Sequence, residues 1–430
     1  MLHTEAPEVR AHLLKGNFGL ERETLRITED GFLSQTPHPF AGDANIVRDF
    51  SENQVEINTG VNPTPKAVVA ELAAHDARVR ETLLALPQPE YLWPFSNPPY
   101  IRGWQDIPVA RFHGEDASKT AYREYLSDRY GRYKMALSGI HFNYSFSDEL
   151  LEADFACSPE ASLSGTREEN FRAYKDRLYI RLTENAVAYG WLMTVLTAAS
   201  PLMDSSYIEK HRFGEDAFRG LATPRCSEMG YWNYFTPVLD YSSAQAYDAS
   251  IRAYVQRGLI ASPSELYYPV RLKPRGNYNV ADLSKSISHI ELRMFDLNPL
   301  FEQLINVEDV FFAQLFLVWL ATLPPAHLSE KDQIQAAQNF KYASHYDLKT
   351  VVLVMPDGSS GNAINLGRTI LAHMRTFYES INAEQCVLDC LAFQESKLVD
   401  AHKRYAIIVR EQFANTYMSK GIALARSRCN

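Results

Sequence analysis

Gly19-Leu20-Glu21-Arg22-Glu23-Thr24-Leu25-Arg26 lies in a segment, residues 17–27, that alternates as a β-strand does. A strand sends successive side chains to opposite faces, so the carboxylates of Glu21 and Glu23 share one face. The pattern returns along the chain. In residues 47–58, Glu52, Gln54 and Glu56 share a face. In residues 137–146, Ile140, Phe142, Tyr144 and Phe146 form an apolar face, and His141, Asn143 and Ser145 point the other way. In residues 287–297, Ile290, Leu292 and Met294 oppose His289, Glu291, Arg293 and Phe295. Residues 266–273 form a fifth strand with Tyr267, Arg271 and Lys273 on one face.

Between these strands the apolar spacing turns helical. Thr64 caps a helix with Pro65 at its first position, and the helix runs to about residue 86. Further helices are expected at residues 118–132, 167–199, 307–323, 363–380 and 397–417. Helices and strands do not alternate regularly. That favours an α+β fold with an antiparallel or mixed sheet over a doubly wound parallel one. The proline-rich stretch from Pro87 to Pro108 carries Trp93 and Trp104 and is expected to pack on the body. The Asp357-Gly358-Ser359-Ser360-Gly361 run reads as a turn. No stretch reads as a boundary, so residues 1–430 are expected to form one catalytic domain. Its motif-bearing core covers about residues 17–300, and its helical part residues 301–430.

Composition narrows the function. Of 430 residues, 46% are apolar and 22% charged, which excludes global disorder. The net charge is −9, from 43 Lys and Arg against 52 Asp and Glu, so no basic excess is present to neutralise nucleic acid. Five cysteines without a C-x-x-C pair argue against a disulfide framework and for a reducing compartment. Cys386 and Cys390 read as buried small hydrophobes. Met1-Leu2-His3-Thr4-Glu5 does not begin a signal peptide, and the apolar run at 310–323 is too short to cross a bilayer. A cytoplasmic, membrane-free protein is expected; no feature speaks to its oligomeric state.

Taken singly, each polar strand face is also what a solvated strand shows. These faces, however, almost lack Lys. If they converge, several carboxylates and one imidazole meet in a cavity, which is tenable only with cations or shared protons. Hard divalent cations, Mg²⁺ or Mn²⁺, prefer such oxygen ligands and tolerate His141. Cations among carboxylates suit phosphoryl chemistry, and Arg293 supplies fixed positive charge for it. Arg271 and Lys273 are candidates for nucleotide contacts. No glycine-rich phosphate loop occurs, so nucleotide binding is expected to go through metal.

At this point a family becomes recognisable. Gly19–Arg26 resembles the opening strand of bacterial glutamate–cysteine ligases. The resemblance continues through Asp49-Phe50-Ser51-Glu52, Leu92-Trp93-Pro94, Ser138-Gly139-Ile140-His141-Phe142-Asn143, Leu266-Tyr267 and Ile290-Glu291-Leu292-Arg293-Met294-Phe295-Asp296-Leu297-Asn298-Pro299. The resemblance implies a glutamine-synthetase-like fold, an antiparallel sheet curved into a funnel and surrounded by helices. It implies activation of the glutamate γ-carboxylate by ATP, as γ-glutamyl phosphate, and displacement of phosphate by the amine of cysteine, the first step of glutathione-type thiol synthesis. Family metal ligands match Glu21, Glu23, Asp49, Glu56, His141 and Glu291, with Glu52 beside them. The transition-state arginine matches Arg293. Glutamate contacts match Arg225 and Asn143, and the thiol pocket matches Phe50, Tyr122, Leu126, Tyr231 and Tyr267. From the residues alone, Tyr122 and Leu126 are equally ordinary core packing, and Arg225 an ordinary surface arginine. No second ATP-binding domain is expected, so the reaction should stop at the dipeptide. Three alternatives stay open: the same ligase with another small amino acid or amine as acceptor, a two-metal phosphohydrolase, and a non-catalytic binding homologue.

Overall fold

The alternating segments pair into one antiparallel sheet. The computed structural model describes residues 1–209, 212, 214–276, 283 and 287–429; part of the connection between the last two sheet strands, residues 277–282 and 284–286, lies outside them. The strands are β1 (Gly16–Thr28), β2 (Ile46–Arg48), β3 (Gln54–Asn58), β4 (Glu90–Leu92), β5 (Ile140–Phe146), β6 (Leu202–Asp204), β7 (Asp216–Phe218), β8 (Val270–Pro274) and β9 (Ile287–Phe295). The main sheet runs β2-β3-β1-β5-β9-β8, with β4 paired to the far end of β1. β6 and β7 form a separate hairpin.

One face of the sheet is the core. Phe18 and Leu20 of β1, Ile140, Phe142 and Tyr144 of β5, and Ile290 and Leu292 of β9 are buried there against helices. Pro65–Leu84 and Arg167–Tyr189 pack on the strands, and Val307–Thr322 packs on both of these helices. Thr64 starts the first as expected, its hydroxyl accepting from the Ala67 N–H at 3.1 Å. The third is buried along most of its length.

Three expectations need correction. Residues 167–199 are two helices, divided at Gly190, where a Cβ would stand 2.9 Å from Phe340 Cζ. Only a glycine lets the helix Glu330–Ala343 come that close. Residues 397–417 are not one helix: Gln385–Val399 ends at Asp400, whose carboxylate accepts from the His402 N–H at 3.0 Å, and Tyr405–Phe413 follows. Asn415, at φ 62°, then turns the chain into Tyr417–Ser427. Phe295 does not join the polar face of β9. Ile140 pairs with Phe295 but Phe142 with Leu292, so β9 carries one extra residue there. The bulge turns Phe295 into the core, 6.0 Å from the Phe142 ring.

The remaining expectations divide. Trp93 is buried, but Trp104 is exposed and covered by the Arg132 guanidinium, 4.5 Å from its ring. Of the 357–361 run, Asp357, Gly358 and Ser359 lie in the turn of a small hairpin, and Ser360 and Gly361 begin its second strand. All five cysteines are free; Cys390 is buried and Cys386 exposed.

Arg22 sits on the core face of β1 yet is fully buried, paired with Asp76 of the helix Pro65–Leu84. Asp76 also pairs with Arg80 one turn on. Burial opposes the charge on Asp76, but the two guanidinium groups outweigh it and hold its carboxyl below the usual range. Removing the shared carboxylate leaves two buried cations facing each other. Asp76→Ala is expected to lower unfolding free energy by about 3–5 kcal/mol. Urea unfolding checks this; a loss under about 1 kcal/mol, the range of exposed pairs, would show the triad contributes little.

Candidate active site

The side chains directed away from the core meet over the middle of the sheet. Register brings them together: Glu21 opposite His141, Glu23 opposite Glu56, Asn143 opposite Glu291, and Glu291 opposite Arg271. A cavity of about 300 Å³ opens on this face. Glu21, Glu23, Asp49, Glu56, His141, Arg271, Lys273 and Arg293 line it together with Phe50, Tyr122, Leu126, Tyr231 and Tyr267. Glu291 is fully buried beneath, with Arg293 Nη1 at 3.2 Å, Lys273 Nζ at 3.4 Å and Arg271 Nε at 3.6 Å.

His141 is the centre of the cluster. Its Nδ1 lies 3.0 Å from Glu21 Oε2 and 3.9 Å from Glu291 Oε1, and its Nε2 lies 3.6 Å from Glu23 Oε1. Burial first, and then the Arg293 charge, push its pKa down to about 4, so the imidazole is neutral at pH 7 and keeps a lone pair. Burial would raise Glu21, but the hydrogen bond with His141 prevails and holds it at about 2. Glu291 is likewise opposed by burial but held well below the carboxylate range by Lys273, Arg293 and Arg271. On the other side of His141 the balance reverses. Burial and the Asp49 charge raise Glu23 to about 8, and burial with Asp49, Glu21 and Glu23 raises Glu56 far above its ordinary value. Asp49 is also raised, chiefly by burial.

These donors fit divalent cations. Like charges directly opposed across strands, as at Glu23 and Glu56, destabilise a sheet unless something neutralises them. Glu21, His141 and Glu291 offer ligand atoms all within 4.8 Å of one another. Glu291 Oε2 is buried and accepts no hydrogen bond among the described residues. Oxygen-rich, anionic and preformed, such a set suits Mg²⁺ or Mn²⁺.

A second cavity shares Tyr231, Tyr267 and Arg293 with the first and adds Arg225 and Trp232. Arg225 belongs to the turn Pro224–Cys226 and is 5% exposed. Its Nη1 donates to the Phe295 carbonyl at 3.3 Å, while its Nε has no hydrogen-bond partner among the described residues. The guanidinium lies against Gly139, where a Cβ would stand 2.1 Å from Cζ. A buried, under-satisfied guanidinium facing a cavity is a receptor for an anion.

Two residues expected in the site stand elsewhere. Residues 49–53 form the turn between β2 and β3, so alternation does not carry across them. Glu52 is therefore outside the cluster: it pairs with Arg48 at 3.0 Å and accepts the N–H groups of Arg111 at 2.7 Å and His38 at 3.2 Å. Asn143 donates to Glu21 Oε1 at 3.0 Å and opens on a neighbouring groove with His289, not on the main cavity. Sequence reasoning missed Arg123, which lines the cavity and donates to the carbonyls of Asp49 and, at 3.3 Å, Arg48. It holds the turn that carries Asp49. No spacing signal separates it from Arg129, the other arginine of the helix Ala117–Tyr130.

Fold and site define a class: helices on one face of an antiparallel sheet, and a buried cavity of carboxylates, imidazole and guanidinium on the other. The family model for glutamate-cysteine ligase matches residues 2–259 and 236–343. The chain belongs to the glutamate–cysteine ligase family. It is 33% identical over 382 residues to the glutathione biosynthesis bifunctional protein GshAB of Clostridium perfringens, covering 86% of this chain and 48% of that protein. It is 32% identical over 446 residues to the protein of the same name from Listeria monocytogenes, covering 98% and 57%. The chain thus spans about half the length of the curated relatives it matches. Among solved structures it superposes on a bifunctional glutathione synthetase from Pasteurella multocida with a TM-score of 0.82 and 25% identity, over 98% of this chain and 53% of that one. It also superposes on a glutamate–cysteine ligase from Francisella tularensis in complex with AMP, with a TM-score of 0.83 and 20% identity, over 96% and 88%. The second likeness is one of fold.

Proposed function

We propose that this chain joins the γ-carboxylate of glutamate to the amine of cysteine at the expense of ATP. The observation that carries the reading is a pair of cavities that share Tyr231, Tyr267 and Arg293, one lined by the carboxylate–imidazole cluster and the other by a buried, under-satisfied guanidinium, Arg225. A phosphohydrolase gives Arg225 and the aromatic wall no role. Family membership and the relatives' printed role in glutathione biosynthesis support the same reading. So does the AMP bound to the Francisella tularensis enzyme.

In this reading Arg225 binds the α-carboxylate of glutamate and directs the γ-carboxylate toward Arg293. A γ-carboxylate oxygen attacks the γ-phosphorus of ATP, the bond to ADP breaks, and γ-glutamyl phosphate forms. The amine of cysteine attacks the acyl carbon, loses a proton, and phosphate leaves. Glu21, Glu23, Asp49, Glu56, His141 and Glu291 would hold Mg²⁺ or Mn²⁺, which supplies positive charge to the phosphates. Arg271 and Lys273 add charge on the nucleotide side. Phe50, Tyr122, Leu126, Tyr231 and Tyr267 would receive the cysteine side chain. A small apolar wall accepts a thiol and rejects longer chains only modestly, so 2-aminobutyrate is expected to react as well.

We further read the sheet as the curved funnel of glutamine-synthetase-like enzymes, and residues 1–430 as one catalytic domain. The C-terminal helix supports the latter: the Tyr417 hydroxyl donates to the Asn97 carbonyl at 2.7 Å and its ring packs on Trp93. The net charge of −9 and the free cysteines support a cytoplasmic enzyme that works on small molecules without nucleic acid. No helix among the described residues is long and apolar enough to cross a membrane.

Arg225→Lys keeps the charge and loses the planar fork. It is expected to raise KM for glutamate about 10- to 100-fold, the range for a lost charged hydrogen bond, while KM for ATP stays level. Equal shifts for both substrates would count against the assignment. The intermediate has its own test. With ¹⁸O in the glutamate γ-carboxylate, the released phosphate should carry one label per turnover; unlabelled phosphate would exclude acyl-phosphate formation.

A further inference from the structure

The aromatic wall comes from four separate segments, and a buried polar knot ties three of them, those of Tyr122 and Leu126, Tyr231 and Tyr267, together behind the cavity. Glu265, fully buried, ends the turn Pro263–Glu265 two residues before Tyr267. Its Oε1 accepts from the Tyr130 hydroxyl at 2.7 Å and the Tyr125 hydroxyl at 3.3 Å, and Arg129 Nε stands 3.1 Å away. Its Oε2 accepts the Ala261 N–H at 2.5 Å. Tyr125, Arg129 and Tyr130 belong to the helix Ala117–Tyr130, which carries Tyr122 and Leu126. Asn233, two residues after Tyr231, completes the knot. Its Nδ2 donates to the Tyr130 hydroxyl at 3.0 Å and the Glu265 carbonyl at 2.8 Å, and its Oδ1 accepts the Tyr267 N–H at 2.9 Å. Neither Glu265 nor Asn233 lines the cavity.

We propose that Glu265 and Asn233 are positioning residues that set the width of the acceptor pocket, and with it the selection of a short, uncharged amino-acid side chain. This rests on the reading of Tyr122, Leu126, Tyr231 and Tyr267 as the acceptor wall. A buried carboxylate is tolerable only while its lone pairs stay satisfied. Here the donors come from the helix and from the loop that carries Tyr267, and Asn233 adds the segment of Tyr231. Moving any one segment leaves a buried polar group unpaired. The knot therefore resists widening at Tyr267, whose ring lies 5.2 Å from Tyr130 and 5.7 Å from Tyr231. Resistance is what selectivity needs, because a pocket rejects an extra methylene roughly 10- to 200-fold only if its wall does not yield.

The test compares cysteine, 2-aminobutyrate and norvaline as acceptors in the full chain, with Glu265→Gln and Tyr130→Phe. Glu265→Gln removes the charge that three side-chain donors and the Ala261 N–H converge on. Tyr130→Phe removes only the hydroxyl shared by Glu265 and Asn233, and it decides the matter should the first variant not fold. Each variant is expected to raise acceptor KM about tenfold, as for a lost hydrogen bond to a charged group. The preference for 2-aminobutyrate over norvaline should shrink toward one, while KM for ATP and for glutamate stays level. An unchanged preference, or a proportional loss in all three substrates that tracks melting temperature, would overturn the proposal. Leu126→Ala, in the wall itself, separates the two layers. If it shifts acceptor preference and the knot variants do not, the positioning role alone fails. If it also leaves preference unchanged, the acceptor-pocket reading fails.

Discussion

Glu21→Gln is expected to remove nearly all turnover and leave the protein folded. The amide keeps the shape of the carboxylate and the place of Glu21 on β1. What it loses is the negative charge, in a side chain whose Oε2 lies 3.0 Å from His141 Nδ1 and within reach of Glu291. If this group holds a divalent cation, the loss is that of a direct ligand. Groups that merely support a ligand cost about 10- to 100-fold, so a ligand itself should cost roughly 10³-fold or more. Two effects on stability oppose each other. The variant weakens the contact with His141, but it also relieves a charge that pushes Glu56 up. The melting temperature should therefore move by less than about 4 °C, the shift that 1 kcal/mol brings in a moderate-sized domain. Steady-state kinetics across a Mg²⁺ titration, beside a thermal melt, checks both halves. Near-normal turnover at saturating Mg²⁺ would sink the metal assignment.

The second large effect is expected at Arg293. Its Nη1 stands 3.2 Å from Glu291 Oε1 and 3.4 Å from His141 Nδ1, at the rim of the carboxylate cluster. In phosphoryl transfer, charge builds on the transferring oxygens, and a fixed cation there favours the transition state over bound ATP. Arg293→Lys keeps the charge but loses the fork and its paired hydrogen bonds. It should lower kcat by roughly 10²–10³, by analogy with loss of one preorganised donor, with KM for ATP almost unmoved. A competing account holds that Arg293 only neutralises Glu291 and its neighbours. Lysine would serve that purpose almost as well, and kcat would survive. A retained kcat with a lowered melting temperature would favour that account.

The parts of the site that sequence made legible are those governed by the period of a strand. Glu21 with Glu23, His141 against Phe142, and Glu291 with Arg293 fall on the expected faces because β1, β5 and β9 are continuous there. Legibility stops where a non-local choice intervenes. Phe295 changes face because β9 holds one residue more than β5 across the bulge, a matter of pairing that no local pattern encodes. Glu52 leaves the cluster because residues 49–53 turn, stabilised by contacts far along the chain: Asn53 Nδ2 donates to the Asp106 carbonyl at 2.8 Å. Arg22 follows the period yet is buried, because Asp76 meets it from a helix some fifty residues on. Arg123, Glu265 and Asn233 act through backbone carbonyls and buried hydroxyls of distant segments. Residue type alone does not distinguish them from surface residues.

In the proposed function, two cavities that share Tyr231, Tyr267 and Arg293 couple ATP cleavage to the union of glutamate with a small thiol-bearing amine. Phosphate release from ATP and Mg²⁺ tests it most directly, with glutamate present or absent, screened against the amino acids and small amines as second substrate. Release should require both glutamate and an acceptor, and cysteine should give the highest kcat/KM of the natural amines, with γ-glutamylcysteine as product. Rapid phosphate release without glutamate, or a higher kcat/KM with another natural amine, would contradict the account.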